Sequence, residues 1–196
     1  GGYAVDVLVQ GYPGKSTHNG GLGWSTVVLL RGHGHVALID TGNFGLRRIL
    51  VDKLAGFGLA PADVTDLILS HLHYDHIVNF PLFPKARLHV GARELEWASA
   101  VPWGRTVVPE LYVREIAAQP SLRLIDEGDE VLPGLTADLA PGHTPGHLIF
   151  LLQGEQHDII FLQDAVKTRT ELVSRQTDMT FDPAVSAATV EKVWSL

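Results

Sequence analysis

The chain predicts a mixed α/β fold in which sheet packs on sheet and helices lie outside. Two observations point there. β-rich runs bounded by Gly and Pro come first, with helically spaced segments among them. Short apolar strand-like runs then recur in the second half of the chain, as in a layered α/β domain. The 196 residues suit one domain with a sizeable core, so residues 1–196 are read as a single unit.

Val5 to Val9 and Thr26 to Leu30 read as strands, and the Gly-, Pro- and Ser-rich stretch between them, 11–23, reads as a loop. A tight turn at Arg31 to His35 feeds a third strand, Val36 to Asp40. Asn43 can cap a helix on which Leu46, Ile49, Leu50 and Leu54 recur at helical spacing, and Gly56 and Gly58 stop it. Pro61 to Val64 starts a helical turn, and Asp66 to Ser70 is a short buried strand that delivers the chain into His71 to His76. Ala86 to Val90 reads as a strand and Ala92 to Ser99 as a helix. In the stretch from Pro102 to Pro120 the best helix is Glu110 to Ala117.

Leu122 to Ala140 holds three short strands parted by Gly128-Asp129 and Pro133-Gly134. Pro141 to Gly146 must be a turn, since its prolines and glycines suit neither a helix nor a ladder. Strands Leu148 to Leu152 and Ile159 to Leu162 follow, and Pro183 opens a last helix running to about Trp194.

Composition narrows the function. The net charge is −7 and no Lys/Arg cluster is present, which argues against nucleic acid, whose phosphates demand a basic face. There is no cysteine, so disulfides and thiolate metal sites are excluded, and any transition metal must be held by nitrogen and oxygen. No apolar run approaches the ~18–20 residues that cross a bilayer. The expected location is the cytoplasm, with export left open because the chain opens on Gly1-Gly2 rather than Met.

The strongest signal is His71-Leu72-His73-Tyr74-Asp75-His76, which places four candidate metal ligands where a buried strand ends. Side chains two apart at such a turn can converge on one ion and the next pair on another. An imidazole–carboxylate set suits zinc first, with iron or manganese as alternatives. Pro141-Gly142-His143-Thr144-Pro145-Gly146-His147 carries two histidines on a rigid turn; His143 is the expected ligand and His147 the support. Asp164 ends the apolar run from Ile159 to Leu162, and a carboxylate there needs a cation or donors. The candidate ligands are therefore His71, His73, Asp75, His76, His143 and Asp164. His33 and His35 share a His-x-His spacing but read as a solvent-exposed turn.

These motifs, with Leu38-Ile39-Asp40-Thr41-Gly42 upstream, resemble the metallo-β-lactamase superfamily from about Thr26 to Asp164, in the right order and spacing. The resemblance implies a four-layer αβ/βα sandwich with a dinuclear centre between its sheets. His71, His73 and His143 would hold the first ion, Asp75 and His76 the second, and Asp164 would bridge them. Members of that family carry one more histidine on a later loop, but this chain has none after Asp164. The chain ends in an apolar-faced helix with nothing packed after it. The expectation is therefore a C-terminal end that lacks the last strand; the alternative is a weakly held second ion.

The expected activity is hydrolysis of a small ester, lactone or thioester by a metal-activated water, with Asp75 or Asp164 moving the proton. Asp40 and Thr41 are expected to hydrogen-bond the ligand imidazoles. Tyr74 inside the motif tilts toward lactones. Trp97, Trp103 and Tyr112 are read as packing residues more readily than as pocket walls. Lys167 is read as solvated, with binding of an anionic substrate group as the sharper option. The competing readings are a mononuclear iron persulfide dioxygenase, a β-lactam or phosphodiester hydrolase of the same fold, and a non-enzymatic binding module. The expected partner is a small molecule, with a homodimer as the one protein assembly considered.

Overall fold

A computed structural model describes every residue except Gly1, Asn19 and Glu155. The chain runs β1 (Ala4–Val9), a small hairpin of β2 (Lys15–Ser16) and β3 (Gly20–Gly21), β4 (Val27–Gly32), β5 (His35–Ile39), α1 (Arg47–Gly56), β6 (Asp66–Leu69), α2 (Tyr74–Ile77) and β7 (Arg87–Gly91). It continues through α3 (Ala92–Ala100), α4 (Glu110–Ala117), β8 (Leu122–Ile125), β9 (Glu130–Leu132), β10 (Leu135–Leu139), β11 (Leu148–Leu152), β12 (Ile159–Phe161), α5 (Arg169–Ser174) and α6 (Pro183–Trp194).

One sheet has the order β1-β4-β5-β6-β7-β8, antiparallel from β1 to β5 and parallel from β5 to β8. The second, β12-β11-β10-β9, is antiparallel throughout. Alternation along β4 shows why they stack. Val27 and Leu29 face a core shared with Leu50 and Leu54 of α1, Ala98 of α3 and Ile116 of α4. Val28 and Leu30 face the other way, onto Leu135, Leu148 and Phe150 of the second sheet. The far side of that sheet packs Ile149 and Leu151 against Leu172 of α5 and Val193 of α6. The result is four layers, helix–sheet–sheet–helix, as the resemblance implies.

The elements depart from expectation at several points. The helix expected at Asn43 begins as a single 3-10 turn, Phe44–Leu46, and Asn43 makes no side-chain cap; its amide instead donates to Gly23 O at 3.4 Å. Ile49 faces solvent while Leu46, Leu50 and Leu54 are buried, because a ten-residue helix on a flat sheet buries a narrow stripe. Part of the loop expected over 11–23 forms the β2–β3 hairpin. A further helix, α5, was not anticipated, although Thr168 accepts from Glu171 N at its start, as an N-cap does.

His35 is not a solvent-exposed turn residue. Its Nδ1 lies 2.8 Å from the Asp66 carboxylate, which β5–β6 pairing brings to the same end of the sheet. Asp66 is fully buried and also receives Arg87 Nε (2.8 Å), His89 Nε2 (2.9 Å) and the Thr65 hydroxyl (2.7 Å). Burial works against its charge, but hydrogen bonds from His89, Arg87 and His35 outweigh it and hold the carboxyl well below the ordinary range.

A lowered carboxylate pKa contributes stability that is complete above the unfolded value, near pH ~4, and is lost as pH falls through the folded value. Asp66→Asn should therefore cost about 2 kcal/mol at neutral pH. The gap between wild type and variant should narrow on acidification below pH ~4. Thermal unfolding followed across that window checks this; a gap that stays constant with pH would contradict it.

Candidate metal centre

β6 runs between two parallel neighbours, and the chain leaves its carboxyl end as Ser70-His71, a place where α/β sheets commonly present their sites. His73 precedes α2, and Asp75 and His76 lie on it. The turn joining β10 to β11 carries His143, and a 3-10 turn after β12, Gln163–Ala165, carries Asp164. The two sheets are tied at this point by the Leu148 N–H, which donates to Ser70 O at 2.9 Å.

Glycine is required in the 141–147 turn by close approach. A Cβ on Gly142, where φ is +127°, would meet Ser186 N of α6 at 2.4 Å. A Cβ on Gly146 would meet Glu94 N of α3 at 2.3 Å. The turn is clamped between two helices, so His143 has a fixed backbone.

The side chains converge. His73 Nδ1 lies 3.1 Å from His71 Nε2 and 3.0 Å from His143 Nε2. Around a tetrahedral ion with N ligands at ~2.0–2.1 Å, such nitrogens would be about 3.3 Å apart. Asp164 points one oxygen at His143 Nε2 (3.2 Å) and the other at His76 Nε2 (3.5 Å). Two donor groups result, His71–His73–His143 and His71–His76–Asp164, each within 4.8 Å. Asp75 lies at the margin of the second, 3.8 Å from His76 Nε2. All six expected residues are thus brought to one place.

Proton placement favours lone pairs facing inward. Asp40 is buried, with φ +59°, and accepts from Ser70 N (2.8 Å), the Ser70 hydroxyl (2.8 Å), His76 Nδ1 (2.7 Å) and the Gln163 amide. With its hydroxyl proton on Asp40, Ser70 Oγ accepts from His71 Nδ1 at 3.0 Å. The protons of His71 and His76 therefore sit on the outward Nδ1 atoms, leaving Nε2 as acceptor in both. Among the described residues His76 Nε2 is buried with no hydrogen-bond partner, facing the Asp164 and Asp75 carboxylates at 3.5 and 3.8 Å, a gap that a cation would fill. The donor set and this orphaned nitrogen fit a metal ion.

The electrostatics agree. Burial keeps His71 and His73 neutral, well below the ordinary histidine range, and pushes His143 down to about 3 against the opposing charge of Asp164. Neutral imidazole is the ligating form. At His76 burial also lowers, but Asp40, Asp75 and Asp164 outweigh it and raise the value, so three carboxylates there call for positive charge. Burial raises Asp164, yet His76 and His143 hold it well below the carboxylate range.

Of the expected supports, Asp40 does bond an imidazole, whereas Thr41 holds the backbone: its N–H and hydroxyl both reach His76 O, at 2.6 and 2.9 Å. His147 is fully buried, its ring tilted 32° against His71 at 4.8 Å and its nitrogens unpartnered, which suits a packing role. Two contributors were not read from the sequence. Gln163 (φ +45°) donates to Thr26 O at 3.1 Å and to Asp40, and no local signal marks it. Glu94 is buried on α3, and its signal is an acidic residue four positions before buried Ala98, on the inward face.

A cavity of about 880 Å³ opens over His73, Asp75, His143 and Asp164. Its walls include Val5 and Val7 of β1, Val28 of β4, and Ile159 and Phe161 of β12, together with Tyr12, Trp24, Tyr74 and Lys167. Lys167 is largely buried and paired with Glu171 at 3.1 Å, so it is not a solvated lysine. Trp97, Trp103 and Tyr112 do not line this cavity. Trp97 packs on His73 and Phe181, Tyr112 packs on Phe44 and Phe80, and Trp103 is exposed beneath Arg114.

Residues 20–195 match the family model described as the metallo-beta-lactamase superfamily. An N-acyl homoserine lactonase of Bacillus thuringiensis is 30% identical over 146 residues, covering 74% of this chain and 55% of that protein. The N-acyl homoserine lactonase AttM of Agrobacterium fabrum is 34% identical over 111 residues, 53% of this chain and 41% of that one. This chain thus spans about half the length of the curated relatives it matches. Among solved structures, a point mutant of Bacillus thuringiensis AiiA with N-decanoyl-L-homoserine bound at its active site superposes with TM-score 0.73 at 21% identity, over 99% of this chain and 84% of that one. AidC, a dizinc quorum-quenching lactonase in complex with a product, gives 0.72 at 18% identity over 99% and 80%.

The geometry distinguishes the two histidines of the turn. His143→Ala should remove about one equivalent of any divalent metal retained after dialysis, because it takes one of three nitrogens from the first group. His147→Leu should keep it, since an apolar side chain replaces an unpartnered one. Elemental analysis of the dialysed proteins checks this; metal lost only from His147→Leu would reverse the assignment.

Proposed function

We propose that this chain, which belongs to the metallo-beta-lactamase superfamily, is a metal-dependent hydrolase that opens the ring of a lactone bearing an apolar acyl tail. The observation that carries the reading is the meeting of His71 Nε2, His73 Nδ1 and His143 Nε2 within 3.0–3.1 Å contacts, beside Asp164 and under a large cavity. The names of the lactonase relatives supply the substrate class.

In this reading His71, His73 and His143 hold one zinc ion, and Asp75 and His76 hold a second. Asp164, with one oxygen toward each group, lies between them. When bound, such ions supply Lewis acidity, acidifying water to a pKa near 7 and polarising the ester carbonyl. The chain's own residues do the rest. The apolar strand residues Val5, Val7, Ile159 and Phe161 offer the acyl tail an apolar wall, which would hold the ring end over the histidines. Water adds to the carbonyl carbon and its proton passes to Asp75 or Asp164. The ring C–O bond breaks, and the same carboxylate returns the proton to the departing oxygen, leaving a hydroxy acid. Tyr74, which lines the cavity beside Asp75, is the side chain proposed to contact the substrate oxygen atoms.

Acid release from N-acyl homoserine lactones of increasing tail length, measured with zinc-loaded protein, tests this. The rate should rise with tail length until the cavity is filled, and His73→Ala should lower it by at least ~100-fold while the fold persists. Turnover that survives both His73→Ala and removal of metal would reject the reading. One bound iron and no lactone hydrolysis would favour the dioxygenase alternative.

A further inference from the structure

Glu94 occupies a place that neither the proposed chemistry nor the cavity accounts for. It sits in the first turn of α3, fully buried, and does not line the cavity. Its two oxygens receive three donors from two segments that are far apart in sequence. Oε1 accepts from the Leu72 N–H at 3.0 Å, the peptide between His71 and His73. Oε2 accepts from the Thr144 hydroxyl at 2.7 Å and the Gly146 N–H at 3.1 Å, both just after His143 in the turn that presents it.

We propose that Glu94 is a positioning residue that sets the metal affinity and coordination geometry of the His71–His73–His143 group by clamping both of its loops to one rigid carboxylate; this rests on the reading of those histidines as ligands. A carboxylate is suited to the task because it accepts at both ends and donates nowhere. A glutamine in its place can accept from Leu72, but its NH₂ group then faces the Gly146 N–H, donor against donor. An apolar residue strands three donors. The clamp is short-armed as well. Glu94 N is the atom that a Cβ on Gly146 would strike, so the turn lies directly on the helix and has no slack to take up. Ligand nitrogens held before the ion arrives cost less to order, which is how outer partners of a metal site raise its affinity.

The test compares wild type, Glu94→Gln, Thr144→Val and His73→Ala, with Leu54→Ala on α1 as a variant that lowers Tm through the core alone. Zinc affinity is read by chelator competition, and geometry by the visible spectrum of the cobalt(II)-loaded protein. Glu94→Gln should weaken zinc binding by about 10–100-fold and shift the cobalt bands. Thr144→Val, which removes one of the three bonds, should do so by less, and Leu54→Ala should leave both unchanged despite its lower Tm. If Glu94→Gln does not fold, Thr144→Val carries the test alone. The proposal is overturned if Glu94→Gln and Thr144→Val match wild type in affinity and spectrum while His73→Ala abolishes both, or if Leu54→Ala moves them equally. If His73→Ala itself leaves the cobalt spectrum intact, the ligand reading and this proposal fall together.

Discussion

Three neutral imidazoles, with His73 Nδ1 3.1 Å from His71 Nε2 and 3.0 Å from His143 Nε2, form an electron-rich pocket of the size that one cation fills. The arrangement of the molecule follows from holding them there. His71 and His73 come from the end of a parallel strand in one sheet, and His143 comes from a turn in the other. The sheet-on-sheet packing of Val28, Leu30 and Ile68 against Leu148 and Phe150 brings them together.

Around that contact the protein places buried polar groups, each costly unless fully bonded. Asp40 adopts a left-handed backbone to receive Ser70, His76 and Gln163 at once. Glu94 takes three donors from the two candidate ligand loops, and those hydrogen bonds favour its carboxylate against the rise that burial imposes. Such strain and desolvation at a site are tolerable because the apolar layers on both faces of the first sheet supply a large reserve of burial. Asp66, at the opposite end of the same strand as Ser70, shows the contrasting case: a buried carboxylate with charge-matched donors, remote from the candidate metal groups.

Much of this was legible in sequence. The convergence of the six candidate positions was readable because their signal is local: spacing within His71 to His76, a proline–glycine turn holding His143, and Asp164 just after an apolar run. Strand and helix positions followed from apolar periodicity, down to α4 in a stretch of weak pattern. What was hidden depends on neighbours distant in sequence. Gln163 and Glu94 act on loops reached only through the fold, and His35 acquires its acidic partner from a strand some thirty residues on. Asn43 has the right residue type for a cap but spends its side chain elsewhere, a tertiary override of a local preference. The α5 helix was readable in principle from Thr168 and Glu171, and the brevity of its six residues concealed it.

Anomalous diffraction at the zinc edge, from crystals of protein purified without added chelator, tests the convergence most directly. The expected result is a peak about 2 Å from His71 Nε2, His73 Nδ1 and His143 Nε2 together. Scattering confined to other residues, with these three nitrogens bonded only to protein or water, would contradict it.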